Sequence, residues 1–194
     1  PATEGVRARR GFVANLIDNL VEERVRPHIL SIASGHLREA SLAAAFKRRK
    51  IGRCVALDAD AESLQEVDRC YGSYGVETVC AGFHRLVTNK LELGQFDLIY
   101  STGLFDYLEL PISKRLVSTM FGMLRHGGRL VIANFLPGIR DVGYMEAFMD
   151  WNLVYRTRQE MMAITMAVPQ AKIREIVIFA EEGQNIIFLQ RAKE

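Results

Sequence analysis

The feature that most constrains this chain is its rhythm. Short runs rich in aliphatic and β-branched residues, at 29–33, 53–57, 76–80, 96–100 and 129–133, alternate with segments of helical periodicity. The helical segments are 5–25, 38–50, 60–72, 83–90 and 111–125, and 144–165 reads as two more helices. Alternation of this kind builds a mostly parallel sheet covered on both faces, since each parallel return needs a long crossover. The chain closes with two β-type runs, 172–180 and 185–191, joined by Glu181-Glu182-Gly183-Gln184. That link is too short for a crossover, so the last two strands must be antiparallel. The expectation is an α/β fold: a doubly wound, seven-stranded, mostly parallel sheet with a C-terminal antiparallel hairpin and helices on both faces. Residues 28–194 form the main domain. Residues 1–27 read as an N-terminal helical segment, a lid or a linker to a preceding domain.

Composition excludes several function classes. With 194 residues, 25 Lys+Arg against 23 Asp+Glu and a net charge of +2, the chain lacks the bulk charge of a nucleic-acid binder. The basic runs 7–10 and 47–50 have no interleaved aromatics and read as solvated faces. No apolar run reaches the roughly 18 residues of a membrane span, and no secretory leader pattern is visible, so a cytoplasmic setting is expected. Cys54, Cys70 and Cys80 match no zinc spacing and read as small hydrophobes. His28, His36, His84 and His126 show no ligand spacing either, so no metal is expected.

In open α/β sheets, ligands bind beyond the carboxyl ends of the strands. Four loops qualify: 34–39, 58–60, 81–83 and 101–108. In the first, Ala33-Ser34-Gly35-His36-Leu37-Arg38-Glu39 turns from strand to helix, and Gly35 lets backbone approach a ligand. Alone, this is also what a plain tight turn looks like. Asp58, about 20 residues further on at the tip of the second strand, is placed to accept hydrogen bonds from the two hydroxyls of a ribose. The bland alternative is a helix N-cap; Asp60 suits the cap and Asp58 the ribose.

These pieces, in this order, resemble a class I S-adenosylmethionine-dependent methyltransferase with a Rossmann-like fold. Residues 29–37 match the family's glycine-rich first motif, Asp58 its ribose-binding acid, 96–101 its fourth strand, and Leu124-Arg125-His126-Gly127-Gly128 followed by 129–133 its turn and fifth strand. The resemblance implies S-adenosyl-L-methionine as cofactor and S-adenosyl-L-homocysteine as product. It implies cofactor contacts from Ala33, Ser34, Gly35, His36, Arg38, Glu39, Asp58, Ala59, Gly82, Phe83, Ser101, Thr102 and Gly103. Departures are visible. The family's Gly-x-Gly-x-Gly aligns with Ala33, Gly35 and Leu37, and the acid expected two residues before the first glycine is Ser31. Glu39 is the candidate replacement near the ligand's amino group. Residues 33–39 and 145–157 also resemble the bacterial branch related to synthesis of 3-hydroxy fatty-acid methyl ester signals. Some members of that branch carry an N-terminal regulatory domain, and a homodimer is compatible with it.

Methyl transfer from a sulfonium is an in-line displacement that needs alignment and exclusion of water. A hydroxyl acceptor needs a base; a carboxylate does not. Asp106 and Tyr107 are the candidate catalytic residues. Phe105, Tyr144, Trp151, Tyr155 and Arg156 are candidates for the acceptor pocket, within an apolar face that includes Met145, Phe148 and Met149 and is flanked by Arg140, Arg156 and Arg158. Core packing is the plain alternative for each aromatic. The partner expected is a small apolar or fatty-acid-like molecule, methylated on oxygen, with no nucleic acid and no membrane span. Two other readings stand: a non-catalytic S-adenosylmethionine-binding regulatory module, and a nicotinamide-dependent oxidoreductase. The latter lacks its Gly-x-Gly-x-x-Gly.

Overall fold

The computed structural model describes residues 2–194, the side chains of Ala2 and Met149 lying outside the description. Seven strands form one sheet: β1 (His28–Ile32), β2 (Arg53–Asp58), β3 (Val76–Cys80), β4 (Phe96–Ser101), β5 (Leu124–Phe135), β6 (Ile173–Ala180) and β7 (Ile186–Lys193). Their spatial order is β3-β2-β1-β4-β5-β7-β6. The first five are parallel, and β7 runs antiparallel to both β5 and β6. The strand order reverses between β1 and β4, which puts the crevice for a ligand beyond Ile32 and Ser101. The expected fold class is therefore present, terminal hairpin included.

The helices are α1 (Ala2–Glu23), α2 (Ala44–Lys47), α3 (Ala61–Tyr71), α4 (His84–Val87), α5 (Leu110–Gly122), α6 (Val142–Met149) and α7 (Arg158–Thr165). The apolar stripe of α1 (Val13, Leu16, Ile17, Leu20) is buried in the same cluster as Ile29, Leu98 and Val131 of the sheet. The other face is closed by α5 and α7, with Leu116, Val117, Met120 and Ile164 packed on Leu30, Ile99 and Ile132.

Two local expectations are corrected. The helix read over 38–50 is broken into a 3₁₀ turn at Arg38–Ser41 and the single turn α2. The cause is Asp18 of α1, whose carboxylate accepts the Ala44 and Ala45 N–H groups at 3.0 and 2.7 Å and so starts a new helix there. The Gly-Gly segment read as a turn before 129–133 belongs instead to a longer strand, β5, with a register shift opposite Phe96–Leu98. Glycine is required at the shift, since a Cβ on Gly128 would sit 2.9 Å from the Arg125 carbonyl oxygen and 3.1 Å from that of Phe96.

Candidate cofactor and acceptor site

The loop after β1 is built from its backbone. Ala33, Gly35 and Leu37 all adopt left-handed conformations, with φ of 54°, 49° and 49°. These are the three positions that the family motif fills with glycine, so the chain keeps the motif's backbone shape with two of its three glycines replaced. A non-glycine residue in this region costs about 1–2 kcal/mol. Leu37 offsets the cost by burying its side chain completely. A Cβ on Gly35 would meet nothing within 4 Å, so the loop faces open space there.

Asp58 clasps this loop. Its Oδ2 accepts the Gly35 N–H at 2.7 Å and its Oδ1 accepts the Asp60 N–H at 3.0 Å. A carboxylate has about four lone-pair sites, so acceptor capacity remains on both oxygens for a pair of ribose hydroxyls. Asp60 is the N-cap of α3, its carboxylate accepting from Glu62 and Ser63 N–H groups. The cap expected of Asp60 is thus present. Ser34, Ala59, Gly82, Phe83, Thr102 and Gly103 surround the same edge, none of them fully buried, while His36 and Arg38 point outward as exposed residues. The Ser101 hydroxyl donates to the Ile32 carbonyl at 2.8 Å and is buried, so it ties β4 to β1 and is not available to a ligand.

Glu39 does not reach toward a ligand's amino group. It is buried beneath the loop, where it accepts the Tyr100 O–H at 2.6 Å. Burial pushes its carboxyl above the usual range, against the opposing pull of the Tyr100 hydrogen bond and the Arg10 charge.

The other end of the crevice is built from side-chain ions. Asp106 is 2% exposed. Its Oδ2 pairs with the Arg9 guanidinium at 2.8 Å and its Oδ1 accepts the Phe135 N–H at 2.7 Å. Burial raises its carboxyl from the usual range, opposed chiefly by the Arg9 charge. Enclosed between Arg9 and the Phe135 N–H, Asp106 holds α1 and β5 together and does not face an acceptor as a base. Arg156 is likewise 2% exposed and donates to the carbonyls of Phe105 and Leu108, to the Asn134 side chain and to Ser113 Oγ. It is a buried organiser of the segment after β4, not a guanidinium at a pocket mouth. Phe105 lies wholly inside the α5 side of the core, because its 3₁₀ turn (Phe105–Tyr107) points it under the sheet edge.

What does gather at the surface is aromatic. Tyr107 is 52% exposed, and its hydroxyl accepts the Trp151 indole N–H. Trp151 packs edge-to-face on Phe135 at 5.9 Å, and the Arg9 guanidinium lies 4.4 Å over the Phe135 ring. Tyr155 is half-buried with its hydroxyl enclosed and unpartnered. Tyr144 stacks on Phe148 at 5.4 Å, both outward on α6. Sequence reading missed Arg9 and Phe135; no local signal separates Arg9 from its basic neighbours, and its partner is 97 residues away.

Residues 30–132 match the family model described as a methyltransferase domain. The chain therefore belongs to the methyltransferase-domain family, the class I S-adenosylmethionine-dependent enzymes that the loop, Asp58 and the terminal hairpin resemble. No curated protein matches it. Among solved structures it is similar to a protein of Bordetella parapertussis, with a TM-score of 0.80 at 17% identity over 100% of this chain and 69% of that one. It is similar to magnesium protoporphyrin IX methyltransferase from Synechocystis with bound S-adenosylhomocysteine, at a TM-score of 0.69 and 11% identity over 100% and 87% of the two chains. It is also similar to the N-methyltransferase NodS from Bradyrhizobium japonicum, with the same product bound, at 0.65 and 12% over 96% and 86%. The named acceptors differ, and likeness at this level speaks for the fold alone. Among the described residues no helix is long and apolar enough to cross a membrane, and no cluster of potential metal ligands is found.

Proposed function

We propose that the chain methylates an oxygen of a small, apolar, fatty-acid-like acceptor. The cofactor S-adenosylmethionine supplies an electrophilic methyl group when bound. Asp58 would hold its ribose, the loop 33–37 its methionine end, and Gly82 and Phe83 its adenine. Tyr107, Trp151 and Tyr155 would line the acceptor, with Tyr144 and Phe148 extending the apolar approach.

The observation that carries this reading is the state of Asp106. The buried carboxylate of the loop after β4, Asp106, is enclosed with Arg9 and the Phe135 N–H, and the loop's other carboxylate, Glu109, stands at the start of α5. An acceptor that needs no proton removed, such as a carboxylate, suits that surface best. Arg156 being buried, the exposed Arg140 and Arg158 are the cations left on that flank to attract it.

Calorimetry with S-adenosylhomocysteine, with NADH as contrast, tests the cofactor half: micromolar binding of the former alone is expected. Radiolabelled methyl transfer to 3-hydroxy fatty acids and to amines of equal chain length tests the acceptor half. Labelling of the amines alone would sink O-methylation.

A further inference from the structure

At the edge of the sheet opposite the cofactor loop lies a basin of about 400 Å³. Its floor is Phe46 and Ile51, one wall is the Tyr74 ring, and its rim carries Arg26, Arg49 and Arg53. The volume falls within the range of small-molecule sites. Arg53 is spoken for: it pairs with Glu77 at 2.9 Å and donates to the Leu93 carbonyl at 2.6 Å. Neighbouring acids at this edge are matched as well, Glu22 by Lys50 at 2.7 Å and Asp97 by Arg24 and Arg125 at 2.7 and 2.9 Å. Arg26 and Arg49 are exposed, and their side chains have no hydrogen-bond or ion-pair partner among the described residues. The basin therefore carries two uncompensated guanidinium groups.

Both arginines are also held in the left-handed region, with φ of 51° and 52°. Such a conformation is unfavourable for a residue with a side chain and persists only where the surroundings enforce it. Here they do. Gly52 packs so closely under Arg26 that a Cβ would lie 2.2 Å from the Arg26 carbonyl oxygen, and the Gly52 and Arg53 N–H groups donate to the Pro27 carbonyl. Two strained turns thus present two free cations at one concavity, beside an aromatic ring that is 40% exposed over an apolar floor.

We propose that this basin binds a phosphorylated small molecule with a planar ring, of the nucleoside phosphate class, separately from the cofactor. The guanidinium groups take the phosphates, since their planar forks match phosphate oxygens, and Tyr74 stacks on the ring.

The test is calorimetry of ADP with the protein saturated in S-adenosylhomocysteine, which closes the cofactor site to the probe's adenosine. Submillimolar binding is expected. The double variant Arg26→Asn, Arg49→Asn should weaken it at least about tenfold, and Tyr74→Ala several-fold. Asn tolerates the left-handed backbone, so the double variant adds no strain there, and an unchanged thermal midpoint checks that it folds. No ADP binding to the wild-type protein at about 5 mM, a Kd worth roughly 3 kcal/mol, overturns the proposal. Binding that survives the double substitution overturns it equally.

Discussion

The two ends of the crevice place an aspartate at a strand terminus and use it in opposite ways. Asp58, half-buried, spends one lone pair per oxygen on backbone N–H groups and keeps the rest. Asp106, enclosed, spends its charge on Arg9 and presents no open face to a ligand. The end at the loop after β1 is shaped by dihedral angles and the end at the loop after β4 by buried ions. Residue type at a strand tip therefore says little about role until burial is known: in the open a carboxylate keeps acceptor capacity, and enclosed it needs a partner within the protein.

Substitutions separate the two ends. Asp106→Ala, which leaves the Arg9 charge buried and unpaired, should cost about 3–5 kcal/mol of stability in urea denaturation; a loss below about 1 kcal/mol would mean water compensates Arg9. Asp58→Ala should leave stability within about 1 kcal/mol yet weaken S-adenosylhomocysteine binding about tenfold to a hundredfold by calorimetry, since two hydrogen bonds to a charged acceptor are lost. Equal losses of stability in both variants would erase the contrast.

Glu39 and Asp106 add a pH signature. Burial holds both carboxyls above their ordinary values of 4.5 and 3.8. A folded-state pKa raised above the unfolded one means that the folded protein binds the proton more tightly. Its contribution is fully present below the unfolded value and is lost as pH rises through the folded one. The stability of the wild-type protein should therefore fall as pH climbs from about 4.5 toward neutrality, so far as these two groups govern it. Glu39→Gln keeps an acceptor for Tyr100, removes the buried charge, and should flatten that slope while raising stability at pH 7. A slope identical in the variant would show that Glu39 is already neutral across the range. The smallest effect is expected from Ala33→Gly, which relieves a left-handed alanine and should raise stability by less than about 1 kcal/mol, the gain being partly offset by glycine's larger unfolded-state entropy.

The sequence disclosed the fold because a parallel sheet imposes alternation along the chain, and because the 181–184 link leaves its last two strands one arrangement. It singled out Asp58, which the structure sets against the Gly35 loop, because a fixed spacing from that loop follows from one βαβ step. It misread Glu39, Phe105, Asp106 and Arg156, since each side chain's direction is set by partners remote in the chain: Tyr100 is 61 residues from Glu39, and Asn134 is 22 from Arg156. Asp18 broke the expected helix over 38–50 for the same reason. Local pattern carries backbone class; it does not carry which polar groups become enclosed together.

The long reach of α1 has a consequence for synthesis. Arg9 and Arg24, at the upper part of the helix and just past its end, pair with Asp106 and Asp97, which are 97 and 73 residues downstream. When the helix leaves the ribosome, its apolar stripe can meet Leu37, Ala40, Ala43 and Phe46 a few residues later, and Asp18 can cap α2. The two ion pairs close only once Asp97 and Asp106 have emerged, and contacts of such sequence separation are slow to form. Locking of the first element is thus a late folding event, although its docking begins early. A pause in translation before residue 97 should leave Arg9 and Arg24 unpaired and the helix loosely held, in a way that a pause after residue 106 does not.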